Sequence, residues 1–304
     1  MITKIIYVLI SNLDDFYLEQ MLLSIYSVKK HNPTFSVEVI TSPETAPYIK
    51  KSNNPIITEI NNITEISIPP FFSDVQKSRF IKTQLTKYVD DDFLYLDVDT
   101  IIVKNLNSIN RINFPIAAVA DGNQYETLEK KLTFQAELVN RCGWTKELLH
   151  KPWFNGGVFL VKNSKDTQTF FDCWHSNWLS SIKHGVSQDQ PALCRANQQM
   201  NQIIKHIPSE WNCQLLSNGF HDIGEAKILH YFANRGQNEF IPNIFFKILR
   251  SNPEFTESIY NHLTSYQNFS INKDDYIFLK KIKPFKSFVQ GHPKLNKLLR
   301  WFNL

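Results

Sequence analysis

Short apolar runs alternate with amphipathic segments along the first hundred residues. Apolar residues at positions 18, 21, 22 and 25 recur with the spacing of one helical face, and the apolar run at 5–10 has the length of a buried strand. The pattern predicts helices over 16–31 and 74–89. It predicts strands over 5–10, 35–41, 56–60, 63–68 and 93–96. Strands that alternate with helices predict an α/β fold whose sheet is parallel or mostly parallel.

The later part of the chain continues this pattern as far as residue 239. Strands are predicted at 116–120, 154–161 and 228–229. Ser164 is placed to cap a further helix, and Asp189 opens another one that has proline near its first turn. The buried stripe of the first of these helices is predicted to contain Phe171, Trp174 and Trp178. We therefore predict one α/β domain over 1–239, followed by a helical, basic and aromatic extension over 240–304.

Composition excludes several classes of protein. The 304 residues are 42% hydrophobic and 20% charged, which is typical of a globular protein and not of a disordered chain, a collagen or a coiled coil. The four cysteines form no CxxC pair, so neither a zinc site nor a disulfide framework is indicated. The first apolar run is too short for a secretory signal, and no run approaches the roughly 20 residues that span a bilayer. We expect a cytoplasmic protein that is soluble or lies on a surface.

Charge is distributed unevenly along the chain. Residues 240–304 contain ten Lys or Arg against four Asp or Glu, whereas the rest of the chain is close to neutral. A near-neutral body does not indicate nucleic-acid binding. Near the C-terminus, apolar residues share one helical face and basic residues lie toward the other, which is typical of an interfacial helix. This pattern predicts peripheral membrane contact through 272–304, and a helix packed on the body is the alternative.

Two acidic residues follow the apolar strand predicted at 93–96. Asp97 and Asp99 would lie at the carboxyl end of that strand, where open α/β sheets bind ligands. Carboxylates at this spacing can share one divalent cation, and the cation can bridge the phosphates of a nucleotide diphosphate. Two solvated turn acids are the alternative reading.

Further polar segments accompany this acidic pair. Arg79 and Lys82 lie on the preceding predicted helix, where Ile81 faces the core and both basic side chains are directed away from it. Gly156 and Gly157 interrupt an apolar strand, which implies a bulge or a close backbone approach. The other segments are Asn155 before the glycines, Asp189-Gln190, Pro208-Ser209-Glu210-Trp211-Asn212 and Leu229-His230-Tyr231.

The order and spacing of these segments resemble the GT-A-fold, nucleotide-sugar-dependent glycosyltransferases of family 8, which include glycogenin and the bacterial lipooligosaccharide galactosyltransferases. The resemblance covers residues 5–235. It implies a mixed, Rossmann-like sheet flanked by helices. It also implies that Asp97, Asp99 and His230 bind Mn²⁺, with Mg²⁺ possible, and two carboxylates with one imidazole suit Mn²⁺ better than Ca²⁺.

The resemblance also assigns residues to a sugar-nucleotide donor. Arg79 would bind phosphate or sugar oxygens, because a guanidinium can hold two oxygens at once. Asp189 would accept sugar hydroxyls, with an N-cap role as its alternative, and Gln190 would stabilise an oxocarbenium-like species near the anomeric carbon. The other residues assigned to the donor are Ser11 and Asn12 at the nucleobase, Val98 in the acidic turn, and Asn155 with Gly156 beneath the sugar.

One segment departs from the family pattern. The family continues from its histidine as His-x-x-Gly-x-x-Lys, whereas the corresponding places here hold Ala233 and Gly236. Arg235 lies one residue early. We expect Arg235 to replace the lysine that contacts the diphosphate.

The activity that the resemblance implies is hexose transfer from a nucleotide-diphosphate sugar, with UDP as the expected nucleotide. The acceptor would be a glycan or a lipid-linked saccharide in bacterial surface-glycan assembly, such as lipopolysaccharide biosynthesis, at the inner face of the cytoplasmic membrane. No carboxylate in the sequence identifies itself as the base of an inverting enzyme. The resemblance implies retention of anomeric configuration. Retention without an obvious carboxylate nucleophile fits a route in which the departing diphosphate takes the proton of the acceptor hydroxyl.

Two other functions are compatible with parts of the sequence. The segment Asp97-Val98-Asp99-Thr100 also resembles the nucleophile motif of haloacid-dehalogenase-type phosphatases, in which Asp97 would be phosphorylated and Asp99 would act as acid and base. The third possibility is a non-catalytic protein that binds sugar nucleotides or glycans. Nucleotide release from a donor distinguishes these functions.

Overall fold

The computed structural model describes residues 3–12, 14–123, 129–215, 219, 222–231 and 243–264. The strands are β1 (Lys4–Leu9), β2 (Ser36–Thr41), β3 (Asn62–Glu65), β4 (Phe93–Leu96), β5 (Thr100–Ile102), β6 (Ile116–Ala120), β7 (Phe154–Val161), β8 (Ile204–His206), β9 (Cys213–Gln214) and β10 (Ile228–His230). The α-helices are α1 (Tyr17–His31), α2 (Ala46–Lys51), α3 (Asp74–Lys82), α4 (Glu129–Arg141), α5 (Lys165–Lys183), α6 (Gln190–Gln199), α7 (Asn243–Ser251) and α8 (Thr256–Thr264).

The described strands form two sheets. The larger sheet has the order β3-β2-β1-β4-β7-β6-β8. Strands β1 to β4 pair in parallel, β7 is antiparallel to both β4 and β6, and β8 is parallel to β6. The smaller sheet has the order β5-β10-β9. The expected mixed sheet is therefore confirmed. The turn between β4 and β5 connects the larger sheet to the smaller one.

Strand β1 shows why helices cover both faces of the larger sheet. Because successive side chains of a strand point to opposite faces, Ile5 and Leu9 pack into the core beneath α1, whereas Ile6 and Val8 pack into the core on the other face. The second core also holds the stripe predicted for α5, which is Phe171, Trp174 and Trp178. A strand buried on both faces reads as a continuous apolar run. That reading explains why the run at 5–10 was recognisable in the sequence.

One predicted strand is wrong. Residues 56–60 were expected to be extended, but Pro55–Glu59 is a 3₁₀ helix. Asn54 causes the difference, because its side-chain oxygen accepts the backbone N–H of Ile56 at 3.0 Å and caps the turn. Pro55 at the first position has no N–H to leave unpaired. The strand predicted over 63–68 exists but is limited to β3.

The helix predicted over 74–89 is also shorter than expected. It begins with a capping box in which Ser73 and Gln76 bond each other's backbone N–H. It ends at Lys82, and a separate 3₁₀ turn follows at Leu85–Lys87. The Thr83 hydroxyl donates to the carbonyl oxygen of Arg79 at 2.8 Å, and bonds of this kind bend or end helices.

Helices α7 and α8 pack against α1. Arg250 of α7 places its guanidinium Nε 2.7 Å from the Glu19 carboxylate of α1. The Tyr260 hydroxyl of α8 donates to the carbonyl oxygen of Ile102 in β5 at 3.2 Å. The expected membrane segment 272–304 and Arg235 lie outside the described residues. Within the described part of the chain, no helix combines the length and apolarity needed to cross a membrane.

Candidate metal and donor site

The acidic turn between β4 and β5 rests on a chain of buried hydroxyl groups. Thr100 donates its hydroxyl to the carbonyl oxygen of Asp97 at 2.8 Å. Beneath it, the Ser24 hydroxyl of α1 lies 3.1 Å from the Thr100 hydroxyl and 2.7 Å from the hydroxyl of Tyr7 in β1. These bonds tie the turn to a helix and to the central strand. These hydrogen bonds therefore fix the position of the backbone that carries Asp97 and Asp99.

Strand pairing brings His230 to this turn from a distant part of the sequence. His230 ends β10, which is antiparallel to β5 with His230 opposite Thr100. The His230 Nε2 atom lies 3.3 Å from Asp99 Oδ1. One ligand atom from each of Asp97, Asp99 and His230 lies within 4.8 Å of the others. The structure thus assembles the three residues that were expected to bind a metal ion.

Gly157 of β7 lies directly against this cluster. A Cβ atom at Gly157 would overlap Cε1 of His230 and lie 2.9 Å from Asp97 Oδ2. The glycine therefore leaves open a space that any side chain would fill, and the close backbone approach predicted for this pair of glycines is found here. Two carboxylates and an imidazole around such a space fit a divalent transition metal such as Mn²⁺.

The two oxygens of Asp97 have different surroundings. Oδ1 accepts hydrogen bonds from the Tyr95 hydroxyl at 2.5 Å and from Lys82 Nζ at 3.1 Å. Burial, together with the nearby Asp97 charge, raises the pKa of Tyr95 well above its usual value, so the phenol remains a donor. Oδ2 lies beside Gly157 and receives only a longer contact from Lys82 Nζ, at 3.5 Å, so it is the oxygen better placed to bind a metal ion.

Lys82 is a site residue that the sequence analysis missed. Its side chain is 2% exposed, and Nζ lies 3.5 Å from Asp189 Oδ2 in addition to its contact with Asp97. Nζ also lies 4.9 Å from the centre of the Tyr95 ring. Lys82 follows Arg79 by three positions, which places both on one helical face. That spacing was the available signal, and the expectation that Lys82 points away from the core is wrong.

Asp189 is a partner of cations and does not cap α6. Its side chain makes no capping hydrogen bond and its backbone is helical, so the alternative N-cap role is wrong. Its carboxylate lies 3.6 Å from Arg79 Nε and 3.5 Å from Lys82 Nζ. Burial disfavours the charged form of Arg79, but the carboxylates of Asp189 and Asp97 outweigh this effect and raise the Arg79 pKa. The result is a compact arrangement of two cations and two carboxylates.

Asn155 and Gln190 extend the same wall of the cleft. Asn155 Oδ1 accepts the backbone N–H of Gly157 and the amide of Asn212, each at 2.9 Å. Its carboxamide oxygen therefore bonds inward and not toward a ligand. Gln190 donates its amide to the carbonyl oxygen of Phe154 at 3.2 Å. Gly156 is less constrained than Gly157, because a Cβ there would make only ordinary contacts of 3.6 Å or more.

The loop after β1 is organised by Asp15. Its carboxylate accepts the Ser11 hydroxyl at 2.6 Å and the Asn12 backbone N–H at 3.0 Å. Asn12 and Asp15 both line a cavity at this end of the site. Ser11 has its hydroxyl committed to Asp15, so of the two predicted nucleobase contacts Asn12 is the one that lines the cavity.

Two adjoining cavities meet at the acidic turn. One, of about 380 Å³, contains Asn12 and Asp15 in its walls. The other, of about 490 Å³, contains Asp189, Gln190 and His230. The residues that line both are Val75, Arg79, Asp97 and Asp99. Asp121, Ser187 and Gln188 also line the larger cavity, and the sequence analysis did not single them out. A ligand spanning both cavities would pass beside the metal-ligand cluster.

Comparison with known proteins gives concordant matches. The model of glycosyl transferase family 8 matches residues 8–235. Among curated proteins, glycosyltransferase GlyA of Streptococcus pneumoniae is 30% identical over 141 residues, which cover 43% of this chain and 20% of GlyA. The match therefore spans only about a fifth of that relative's length.

Two solved structures have the same fold. Glycosyltransferase GlyE of Streptococcus pneumoniae is 15% identical, with a TM-score of 0.53, and the match covers 87% of this chain and 62% of GlyE. Galactosyltransferase LgtC, solved with donor and acceptor sugar analogues, is 13% identical, with a TM-score of 0.51, covering 89% of this chain and 98% of LgtC. The phosphatase alternative finds no support in these matches. The family match over residues 8–235 shows that this chain belongs to glycosyl transferase family 8, and the two solved structures show that it has the GT-A fold.

Proposed function

We propose that the protein transfers a hexose from a nucleotide-diphosphate sugar, with UDP as the nucleotide, to a saccharide or glycolipid acceptor. The observation that carries the proposal is the position of Asp97, Asp99 and His230, whose ligand atoms lie together where two cavities meet. The smaller cavity suits the nucleoside and the larger one suits the sugar and the acceptor. The diphosphate of such a donor would then lie beside the three ligands.

Asp97, Asp99 and His230 would hold Mn²⁺, or Mg²⁺ in its place, in the space that Gly157 leaves open. A divalent ion bound there supplies stabilisation of the negative charge that develops on the leaving diphosphate, an effect worth several kcal/mol. Tyr95 and Lys82 orient the Asp97 carboxylate for this role through their hydrogen bonds to Oδ1. Arg235 is proposed to add a positive charge on the diphosphate.

In this proposal the cations Arg79 and Lys82 also position Asp189. Both contact Asp189 and lie toward the larger cavity, so they fix the direction of its carboxylate. Fixed polar groups bind sugar hydroxyls without reorganising during the reaction. Asp189 would accept sugar hydroxyls, and Gln190 would lie near the anomeric carbon with its orientation set by Phe154.

A retaining reaction without a covalent intermediate is proposed from the contacts of Asp189. Its carboxylate is engaged by Arg79 and Lys82 and is therefore a poor candidate for a nucleophile at the anomeric carbon. In the proposed route, the glycosidic C–O bond to the diphosphate breaks, the acceptor oxygen bonds to the anomeric carbon on the same face, and its proton passes to a phosphate oxygen. Product NMR of the anomeric proton tests retention. An inverted product, lost in Asp121→Asn, would replace this route with base catalysis by Asp121.

The acceptor and the place of action rest on the sequence and on the relatives. LgtC was solved with donor and acceptor sugar analogues, and by analogy we propose a saccharide acceptor in bacterial surface-glycan assembly. Work at the inner face of the cytoplasmic membrane, with contact through 272–304, follows from the charge pattern alone. Co-sedimentation with anionic vesicles that is unchanged in a chain ending before Asn272 would refute the membrane contact.

A panel of nucleotide sugars tests the proposed reaction. The purified protein is incubated with each donor, with and without Mn²⁺, and released nucleotide diphosphate is measured beside an Asp99→Asn variant. Metal-dependent release from one donor that is lost in the variant supports the proposal and identifies the sugar. Release from none of the donors, combined with donor binding, would favour a non-catalytic binding protein. Phosphate release from phosphomonoesters would favour the phosphatase.

A further inference from the structure

A line of buried amide groups connects the backbone of β7 to the imidazole of His230. The His230 Nδ1 atom lies 3.1 Å from Asn212 Oδ1. Asn212 in turn donates its amide to Asn155 Oδ1 at 2.9 Å, and Asn155 Oδ1 also accepts the backbone N–H of Gly157 at 2.9 Å. All three side chains are buried, and Asn212 is completely so. The Asn212 side chain at the centre of this line is therefore shielded from water.

The backbone N–H of Gly157 determines which atom donates and which accepts in every hydrogen bond of this line. A backbone N–H can only donate, so the Asn155 atom that faces Gly157 must be the carbonyl oxygen. That oxygen requires the NH₂ group of Asn212 on the side facing Asn155. The oxygen of Asn212 then faces His230 and accepts a hydrogen bond. An acceptor at this position requires a proton on Nδ1 of the imidazole.

The consequence is a defined tautomer at the candidate metal site. With the proton on Nδ1, the Nε2 atom of the neutral ring carries a lone pair. Nε2 is the atom that lies 3.3 Å from Asp99 Oδ1. The opposite tautomer would place a hydrogen atom in the space where a metal ion binds. Metal-bound histidines generally donate their other N–H to an acceptor that sets the tautomer in this way.

We infer that Asn155 and Asn212 are positioning residues that select the metal-binding tautomer of His230. The Gly157 N–H fixes the orientation of the Asn155 amide, which fixes that of Asn212, and the Asn212 oxygen then faces Nδ1 of His230. We call this line of bonds the amide relay. The inference rests on the metal site of the proposed function and extends it to two residues that are not ligands. It also gives Asn155 a role other than the donor contact expected from the sequence.

Asn212 is held in its backbone as well as in its side chain. Its carbonyl oxygen accepts the amide of Asn123 at 2.8 Å, and Asn123 Oδ1 accepts the backbone N–H of Gln214 at 2.8 Å. Asn123 adopts a left-handed backbone conformation with φ of 57°, which asparagine tolerates better than most residues. These bonds fix the backbone position of Asn212 independently of its side chain. A substitution that changes only the Asn212 side chain therefore tests the amide relay.

Mn²⁺ binding and the tautomer of the His230 ring are the two readouts. Free Mn²⁺ is titrated by electron paramagnetic resonance, and the tautomer is observed by long-range ¹H–¹⁵N NMR, with His230 assigned by its loss in His230→Gln. For Asn212→Leu we expect affinity for Mn²⁺ to fall about 10- to 100-fold, the usual effect of removing a residue that hydrogen-bonds a metal ligand, and Nε2–H to become populated. Asn212→Asp keeps an acceptor on Nδ1 and should preserve the Nδ1–H tautomer.

Two further variants complete the test. Asn177→Leu removes a buried asparagine of α5, which bonds Gln199, and should leave both readouts unchanged. Asn155→Leu releases Asn212 to turn its NH₂ toward His230 and should weaken Mn²⁺ binding without altering any ligand, which covers the case in which Asn212→Leu does not fold.

The outcomes separate the relay from the proposed function. A folded Asn212→Leu or Asn155→Leu protein that binds Mn²⁺ within about two-fold of the wild type, or a wild-type His230 carrying its proton on Nε2, would overturn the relay. A wild type that fails to bind Mn²⁺ but has the Nδ1–H tautomer, lost in Asn212→Leu, would contradict the proposed metal site while supporting the relay.

Discussion

The ammonium group of Lys82 lies 3.5 Å from the Asp189 carboxylate, although the lysine side chain is only 2% exposed. Lysine is rarely buried to this extent unless it is paired, and here it is shared between Asp189 and Asp97. The same cation therefore serves one carboxylate at the metal-ligand cluster and another at the start of α6. Lys82 therefore links the proposed metal site at Asp97 to the proposed sugar-binding residue Asp189.

Lys82→Met tests that link. Removing the cation leaves Arg79 as the remaining cation beside the two carboxylates. We therefore expect the free energy of unfolding to fall by about 2–3 kcal/mol, less than for a buried pair with no other partner, and donor turnover to be lost. Urea unfolding at neutral pH measures the first effect. In the double variant Lys82→Met with Asp189→Asn, one stranded carboxylate is gone, and at least about 1 kcal/mol should be recovered. Strictly additive losses would show that the two residues are not coupled.

Gly157→Ala and Gly156→Ala form a matched pair on the same strand. The alanine methyl at 157 would overlap His230, whereas at 156 it would make contacts no closer than 3.6 Å. We expect Gly157→Ala to lose at least about ten-fold in Mn²⁺ affinity because the His230 ligand must move. Gly156→Ala should bind Mn²⁺ as the wild type does. Equal affinity in both variants, measured by calorimetric titration, would argue against a metal ion beside Gly157.

Tyr95→Phe removes the short hydrogen bond to Asp97 Oδ1 and leaves the ring in place. Because the ring stacks on Phe159 at 4.7 Å, the expected loss of stability is about 1.5–3 kcal/mol, that of one hydrogen bond to a charged group. Asp97 loses a donor that orients it, so the apparent Mn²⁺ concentration for half-maximal activity should rise. Unchanged metal dependence would mean that Lys82 alone suffices to orient Asp97.

His175 makes the fold sensitive to acid. Burial, with a smaller contribution from Lys87, lowers the pKa of His175 to about 4, and its Nδ1 lies 2.8 Å from the Thr83 hydroxyl. The unfolded chain takes up this proton near its ordinary pKa of 6.5, so His175 favours folding above that pH. This contribution is lost as pH falls from 6.5 toward 4.

His175→Asn is the variant that isolates this titration, since asparagine can still bond Thr83. Between pH 7 and pH 4.5 the wild type should lose about 1–2 kcal/mol more stability than the variant, a value reduced from the full shift because the ring is partly exposed. Urea unfolding at the two pH values gives the comparison. Parallel losses in both proteins would assign the acid sensitivity to other groups.

Local patterns were sufficient for several parts of this protein. The apolar run before Asp97 predicted a buried strand, and the acids directly after it could only lie at that strand's carboxyl end. The glycine pair in an apolar strand predicted a close approach, which Gly157 makes. These inferences succeed because strand burial and backbone contact leave a signature in neighbouring residues. The 3₁₀ helix at Pro55–Glu59 was missed because one side-chain bond from Asn54 overrides an apolar run.

The sequence by itself determined the α/β class, the place of the acidic turn and, through the resemblance, the three residues that we propose as metal ligands. Only the tertiary structure decided that Lys82 is buried, that Asp189 pairs with two cations and that Asn212 bonds His230. The physical reason is that each of these side chains depends on a partner from a distant element. A lysine or an asparagine is polar in any sequence. These residues acquire their roles only when β10 pairs with β5 and when the end of α3 comes close to Asp189.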